Sequence, residues 1–287
     1  MITAKALDYF IELMNDSGIK DDLRLEESFH TLDEIYDWLD NLPMKYCEKV
    51  ETIIGGHTYE GRDIKGVKIS HNSNKPGIFI EGGIHAWEWI LPATVTFLIN
   101  ELLSSTEPTV HELSESYDWY IFPSINPDGY VYTHTSVNHS LQDQAVLAQT
   151  LTETGITNGC KSALAMIRAT EDIFAQLIMV PYAYTKEHLD NYNETYSVAV
   201  KAAEAISKRY GSKYTPGSLA ETMYPVSGVS VDWVKAVLKL PLAFAYELRD
   251  RGDFGMLLPP EQIIPTGQEV VDSLIVLFEE GRKLGYS

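Results

Sequence analysis

The residues that set the chemical question are His85, Glu88 and Glu247. His85 and Glu88 stand three apart in Gly82-Gly83-Ile84-His85-Ala86-Trp87-Glu88, and Glu247 interrupts the apolar run Leu242-Ala243-Phe244-Ala245-Tyr246-Glu247-Leu248. An imidazole and a carboxylate three residues apart in the first turn of a helix point to one side. Together they are two-thirds of a catalytic zinc site, which takes three protein ligands and leaves one position for water. The plainer reading is a histidine near a helix start beside a glutamate drawn to the positive helix N-terminus. A carboxylate in an apolar strand is costly unless a partner meets it. Arg249, two residues on, would share its strand face, so Glu247 reads either as half of an ion pair or as a general base for a metal-bound water. Tyr224, in Met223-Tyr224-Pro225-Val226-Ser227-Gly228, offers a phenol from a loop, though most such tyrosines pack a rim.

These residues need a scaffold that gathers strand ends. Gly77–Glu81 reads as a buried strand, Gly82-Gly83 as a break, and Trp87–Ser104 as the following helix. The end of a strand is where an α/β sheet offers its ligand crevice. Further strands are expected over Val50–Gly55, Asp63–Ser70, Tyr117–Ile125, Phe174–Val180 and Leu242–Leu248. Helices are expected over residues 4–16, after the capping box Thr31/Glu34 up to Pro43, over Lys161–Thr170, Val198–Tyr210 and Val231–Lys239, and after a second capping box, Thr266/Glu269, to about Leu284. Asn126-Pro127-Asp128-Gly129 reads as a turn. Alternating strands and helices predict an α/β fold: a mixed, mostly parallel central β-sheet flanked by helices.

Composition narrows the function classes. The chain has 287 residues, with 22 Lys and Arg against 41 Asp and Glu, a net charge of −19. That balance argues against nucleic acid and anionic membranes as partners. No run of about 20 apolar residues offers a membrane span. The two cysteines, Cys47 and Cys160, could pair but make no disulfide framework and no zinc-ribbon spacing. The N-terminus is amphipathic and lacks the apolar core and cleavage site of a signal peptide. Three N-x-[ST] triplets, at Asn15, Asn138 and Asn193, are compatible with secretion. There is no G-x-S-x-G, no G-x-x-x-x-G-K-[ST] and no G-x-G-x-x-G, which argues against serine hydrolases, P-loop enzymes and dinucleotide enzymes.

Over most of residues 30–287 the chain resembles the zinc carboxypeptidases of the pancreatic A/B type. The resemblance is carried by Tyr59-Glu60-Gly61-Arg62-Asp63-Ile64, by Gly82 to Ile90, by Asn126 to His134, by Met179 to Thr185, by Ser227 to Trp233 and by Tyr246 to Pro260. It implies one zinc ion, held by His85 and Glu88. It implies that Glu247 is the general base, that Tyr224 closes over the substrate's terminal carboxylate, and that Val231 floors the pocket for the departing side chain. An apolar Val231 implies preference for aliphatic or aromatic C-termini. The implied partners are peptide or protein C-termini, met by a monomer in the extracellular space. Residues 1–20 resemble the last helix of the family's propeptide, 21–29 a linker, and 30–287 the carboxypeptidase-like domain.

The same comparison exposes departures. The family's H-A-R-E is His85-Ala86-Trp87-Glu88 here, so an active-site arginine is Trp87. The arginine-rich run after Thr133-His134-Thr135 is Ser136-Val137-Asn138-His139-Ser140-Leu141-Gln142, and the family's D-x-N-R-N segment is absent. The third ligand, a histidine in the family, aligns with Asp172 in Asp172-Ile173-Phe174-Ala175-Gln176; carboxylate oxygen is an accepted zinc donor. His134 and His139 are other candidates. Region 142–171 reads as shortened. Two functions follow: a working A-like carboxypeptidase, or a carboxypeptidase-like binding or regulatory protein (or an aberrant gene product) that has lost the chemistry.

Overall fold

The apolar runs become strands of one mixed sheet. The computed structural model describes residues 27–72, 75–135, 163–168 (backbone only), 176–250, 253–254 and 258–286. The helix expected over 4–16, His139, Cys160 and Asp172 lie outside them.

Helix α1, Leu32–Lys45, opens as expected with Thr31 as N-cap and Glu34 completing the capping box. Its buried stripe is Leu32, Ile35, Leu39 and Leu42. Pro43 was expected to end it, yet the helix continues to Lys45. Proline removes the N–H that would bond the carbonyl four residues back. That carbonyl belongs to Leu39, and it accepts instead from the Thr52 hydroxyl at 3.1 Å. Strands β1, Val50–His57, and β2, Asp63–Ile69, form an antiparallel hairpin. Its turn is fastened by Asp128, which accepts from Thr58 Oγ1 at 2.8 Å, the Glu60 N–H at 3.0 Å and Arg62 Nη1 at 2.7 Å. Burial pushes the Asp128 carboxyl up, but these donors outweigh it and hold it below the usual carboxylate range.

Strand β3, Gly77–Glu81, is buried at every position, as a parallel strand covered on both faces must be. Helix α2, Ile90–Ser104, and helix α3, Pro108–Ser116, follow, then β4, Asp118–Phe122. The expected turn at Asn126 is the start of helix α4, Pro127–Thr135. Pro127 sits where a helix has no use for its N–H, and Asn126 Oδ1 accepts from the Gly129 N–H at 3.1 Å, an N-cap bond. Residues expected to be helical within Lys161–Thr170 form strand β5, Ala163–Arg168. Pairing to β3 on one side and β8 on the other overrides a weak local helix preference.

Strand β6, Leu177–Val180, leads to helix α5, Tyr192–Tyr210, which ends at Gly211 with φ +78°, the left-handed cap that glycine adopts without strain. Strand β7, Thr215–Ser218, helix α6, Leu219–Thr222, helix α7, Ser230–Ala236, and strand β8, Leu242–Glu247, complete the sheet region. A 3₁₀ turn, Pro260–Gln262, feeds helix α8, Ile263–Lys283. Thr266 and Glu269 are therefore inside α8 rather than at its cap. Thr266 Oγ1 donates to the Gln262 carbonyl at 2.6 Å, and Glu269 meets Arg249.

Among the described residues the sheet has eight strands in the order β1-β2-β4-β3-β5-β8-β6-β7. The β1–β2, β2–β4 and β6–β8 pairs are antiparallel; β3–β4, β3–β5, β5–β8 and β6–β7 are parallel. Successive side chains on a strand point to opposite faces, and two cores result. Ile78, Ile80, Phe244 and Tyr246 join the α1, α2, α5 and α8 side. Phe79, Ala243 and Ala245 join Val229, Val231 and Val234 on the other. No described helix is long and apolar enough to cross a membrane.

Candidate active site

Because β3, β5 and β8 run parallel, their C-terminal ends lie along one edge. Glu81 and Ala245 both pair with Met166 of β5, so Glu247 stands two residues beyond the level of Glu81. With neighbouring strands about 4.8 Å apart, β3 and β8 lie roughly 10 Å from each other.

Past β3 the chain must turn sharply. The Gly82 N–H donates to the Phe122 carbonyl at 2.9 Å, and the Ile125 N–H to the Gly82 carbonyl at 3.0 Å. Gly83 has φ +64°, and a Cβ there would lie 3.1 Å from the Pro123 carbonyl oxygen; both conditions call for glycine. The next residues form a turn, and the helix expected from Trp87 opens at Ile90 with Trp89 as its N-cap. His85 and Glu88 thus occupy this turn and not the helix. The Glu88 N–H donates to the His85 carbonyl at 3.3 Å, and Asn126 Nδ2 to the Ile84 carbonyl at 3.1 Å. The side chains still converge: His85 Nδ1 is 3.0 Å from Glu88 Oε1, with the imidazole 19 % exposed and the carboxylate 1 %.

That pair suits zinc in donor type and spacing. Bonds of about 2.0–2.2 Å to nitrogen and oxygen in a tetrahedron separate ligand atoms by roughly 3.3 Å. Among the described residues no third His, Cys, Asp or Glu joins them to make a group able to hold a metal. Asp172 and His139 fall outside those residues. His134 is described, and it has a different place. Its ring stacks on Trp89 at 4.0 Å and meets Tyr130 edge-on at 4.7 Å. Burial pushes its pKa down to about 4, so it is a neutral packing group at neutral pH.

Glu247 is 2 % exposed at the end of β8. Arg249 does not serve as its ion-pair partner on a common strand face, because β8 ends at Glu247 and the arginine turns to α8. Its Nη2 lies 2.6 Å from Glu269 Oε1, its Nε donates to Glu269 Oε2 at 3.2 Å and its Nη1 to Gln262 Oε1 at 2.7 Å. Val231 is fully buried in the second core. Tyr224 is 46 % exposed, between α6 and α7. Backbone bonds hold its flanks: the Ala220 N–H to the Tyr182 carbonyl at 3.2 Å and the Val226 N–H to the Ala183 carbonyl at 2.9 Å.

Two carboxylates at this edge carry structure that sequence reasoning missed. Glu81 accepts from Ser230 Oγ at 2.7 Å, fastening the start of α7 to the end of β3. Asp232, 7 % exposed, accepts the Ala183 and Tyr184 N–H groups at 2.8 and 3.1 Å. Glu81 had the same signal as Glu247, an acid ending an apolar strand. Asp232 had none, since its partners are backbone groups 48 and 49 residues away.

A family model described as zinc carboxypeptidase matches residues 35–149 and 167–273. A zinc carboxypeptidase of Simulium vittatum is 40% identical over 301 aligned positions, covering 90% of this chain and 98% of that protein. Zinc carboxypeptidase A 1 of Anopheles gambiae is 36% identical, over 90% of this chain and 69% of its own length. Among solved structures, thrombin-activatable fibrinolysis inhibitor superposes with a TM-score of 0.85 at 25% identity, over 96% of this chain and 80% of that one.

Proposed function

The chain belongs to the zinc carboxypeptidase family, and from that premise we propose that it acts on peptide or protein C-termini, releasing a terminal aliphatic or aromatic residue. The observation that carries this reading is the 3.0 Å His85–Glu88 pair at the sheet edge where β8 delivers Glu247. One zinc ion would be held by His85, Glu88 and Asp172. When bound, zinc supplies Lewis acidity that polarises the scissile carbonyl and brings the pKa of water toward neutrality. Glu247 takes a proton from the attacking water and passes it to the departing amine. Tyr224, exposed on its loop, covers the substrate's terminal carboxylate. Val231, buried in the second core, would make the floor under the terminal side chain apolar, where an acidic residue would be needed to favour Lys or Arg. Family resemblance supports work outside the cell as a monomer. It also supports residues 1–20 as a propeptide remnant, joined through 21–29 to the domain 30–287.

A second reading, a carboxypeptidase-like binding protein without turnover, draws on Trp87 in the place of an arginine and on the absence of arginine from 136–142. Loss of one oxyanion donor typically lowers the rate by about 10²–10³. Purified protein incubated with zinc should carry one ion per chain and release Phe or Leu from a blocked dipeptide in a chelator-sensitive manner. Protein that stays metal-free under those conditions would sink the enzyme reading. Protein that binds zinc and peptide yet releases no amino acid would establish the second.

A further inference from the structure

The turn that carries His85 and Glu88 is held from outside, by helix α4. Its own backbone bond, from the Glu88 N–H to the His85 carbonyl, is long at 3.3 Å. At the start of α4, Asn126 donates Nδ2 to the Ile84 carbonyl at 3.1 Å. A Cβ on Gly129 would lie 2.8 Å from the Ala86 Cβ, so helix and turn meet there with no side chain between them. Near the end of α4, the Thr133 hydroxyl accepts the Trp89 indole N–H at 3.0 Å. It donates to the Tyr130 carbonyl at 2.7 Å and lies 3.4 Å from the Ala86 carbonyl oxygen. The Trp89 ring is stacked on His134 at 4.0 Å and meets Phe29 edge-on at 5.9 Å. The residues tied to α4 are therefore Ile84, Ala86 and Trp89, which stand before, between and after His85 and Glu88.

A metal pair works only when its donors are held close to their bound positions, by groups locked through packing and further hydrogen bonds. Ring stacking fixes the plane of the indole but lets it slide; a hydrogen bond to the ring nitrogen fixes its position in that plane. Thr133 and Trp89 are both buried, so this bond is made away from water, where loss of the acceptor would leave the donor its full desolvation cost. Glu88 is the residue next to Trp89, and a shift of the indole moves its backbone. We infer that Thr133 is a positioning residue for zinc: through the Trp89 indole its hydroxyl sets where the Glu88 carboxylate stands relative to His85. This rests on the reading of His85 and Glu88 as zinc ligands.

The test is the zinc affinity of the full chain, measured by competition with a chromophoric chelator, with circular dichroism melts to confirm folding. Thr133→Val keeps the volume and removes the acceptor; it should weaken zinc binding about tenfold, the lower end of what partners behind metal ligands contribute. Thr133→Ser keeps the hydroxyl and should restore wild-type affinity. Trp89→Phe keeps a stacked ring without the donor and should lose as much as Thr133→Val. The double variant should lose no more than either alone, because both changes break one bond. Ile206→Ala, in the buried face of α5, is the control: the cavity should lower Tm and leave zinc affinity unchanged. If Thr133→Val does not fold, Trp89→Phe carries the test. Wild-type affinity in a folded Thr133→Val or Trp89→Phe, additive losses in the double variant, or an equal loss in Ile206→Ala would overturn this inference alone. Failure of wild type to bind zinc would overturn the reading of the site, and this inference with it.

Discussion

Removing the charge of Glu269 should destabilise the protein far more than removing that of Glu247, though both are buried glutamates near Arg249. Glu269 is fully buried and the Arg249 side chain is 13 % exposed, with a fork-to-fork contact of 2.6 and 3.2 Å. Glu269→Gln keeps at most one neutral amide oxygen against the guanidinium and removes the carboxylate charge that meets it, leaving Gln262 and Ser212 as its other described side-chain acceptors. Breaking a buried pair from one side costs about 3–5 kcal/mol. In a chain of this size about 1 kcal/mol moves Tm by roughly 2–4 °C, so the expected loss is roughly 6–20 °C. Glu247→Gln leaves the Glu269, Gln262 and Ser212 contacts of Arg249 in place. Its Tm should stay within roughly 4 °C of wild type, about the shift that 1 kcal/mol produces. Both variants are melted with a chelator present, because bound metal would add its own stabilisation. A double-mutant cycle with Arg249→Met should give a coupling of about 3 kcal/mol for Glu269 and near zero for Glu247. If the Arg249 cycle couples to Glu247 as strongly as to Glu269, the arginine is neutralising the strand-end acid, and the assignment of Glu247 as general base loses its footing.

Two other perturbations probe the surroundings of the site. Burial holds His134 at a pKa of about 4, below the 6.5 of the free side chain, so the unfolded chain takes up the proton first as pH falls. The stability it contributes is complete above pH 6.5 and is lost progressively toward pH 4, by about 3 kcal/mol in all. Melts between pH 4 and 7.5 should show that slope, and His134→Phe should flatten it. Gly66→Ala would set a Cβ 2.4 Å from the Ile121 carbonyl oxygen and 2.6 Å from the Phe122 ring. It should cost about 1–3 kcal/mol in urea unfolding, and a neutral result would contradict the close approach of β2 to β4.

Sequence alone located six of the eight strands among the described residues and singled out Glu247 at the end of one of them. Gly77–Glu81 was legible because an apolar run closed by two glycines has few other uses, and Glu247 because an acid in such a run demands a reason. The α/β class followed from the alternation of periods, and the family from motif blocks in which residue identity itself is constrained. Tertiary structure decided what depends on distant partners. Pro43 stays helical because a threonine hydroxyl from β1 takes the carbonyl it strands. Residues 163–168 extend because two parallel neighbours pair with them. Arg249 goes to α8 and not to Glu247, and His134 packs on Trp89 instead of joining His85 and Glu88. The His85–Glu88 pair forms in a turn rather than a helix, since a three-residue spacing specifies which side chains can meet, while Gly83 and the carbonyls around it specify how the backbone brings them there.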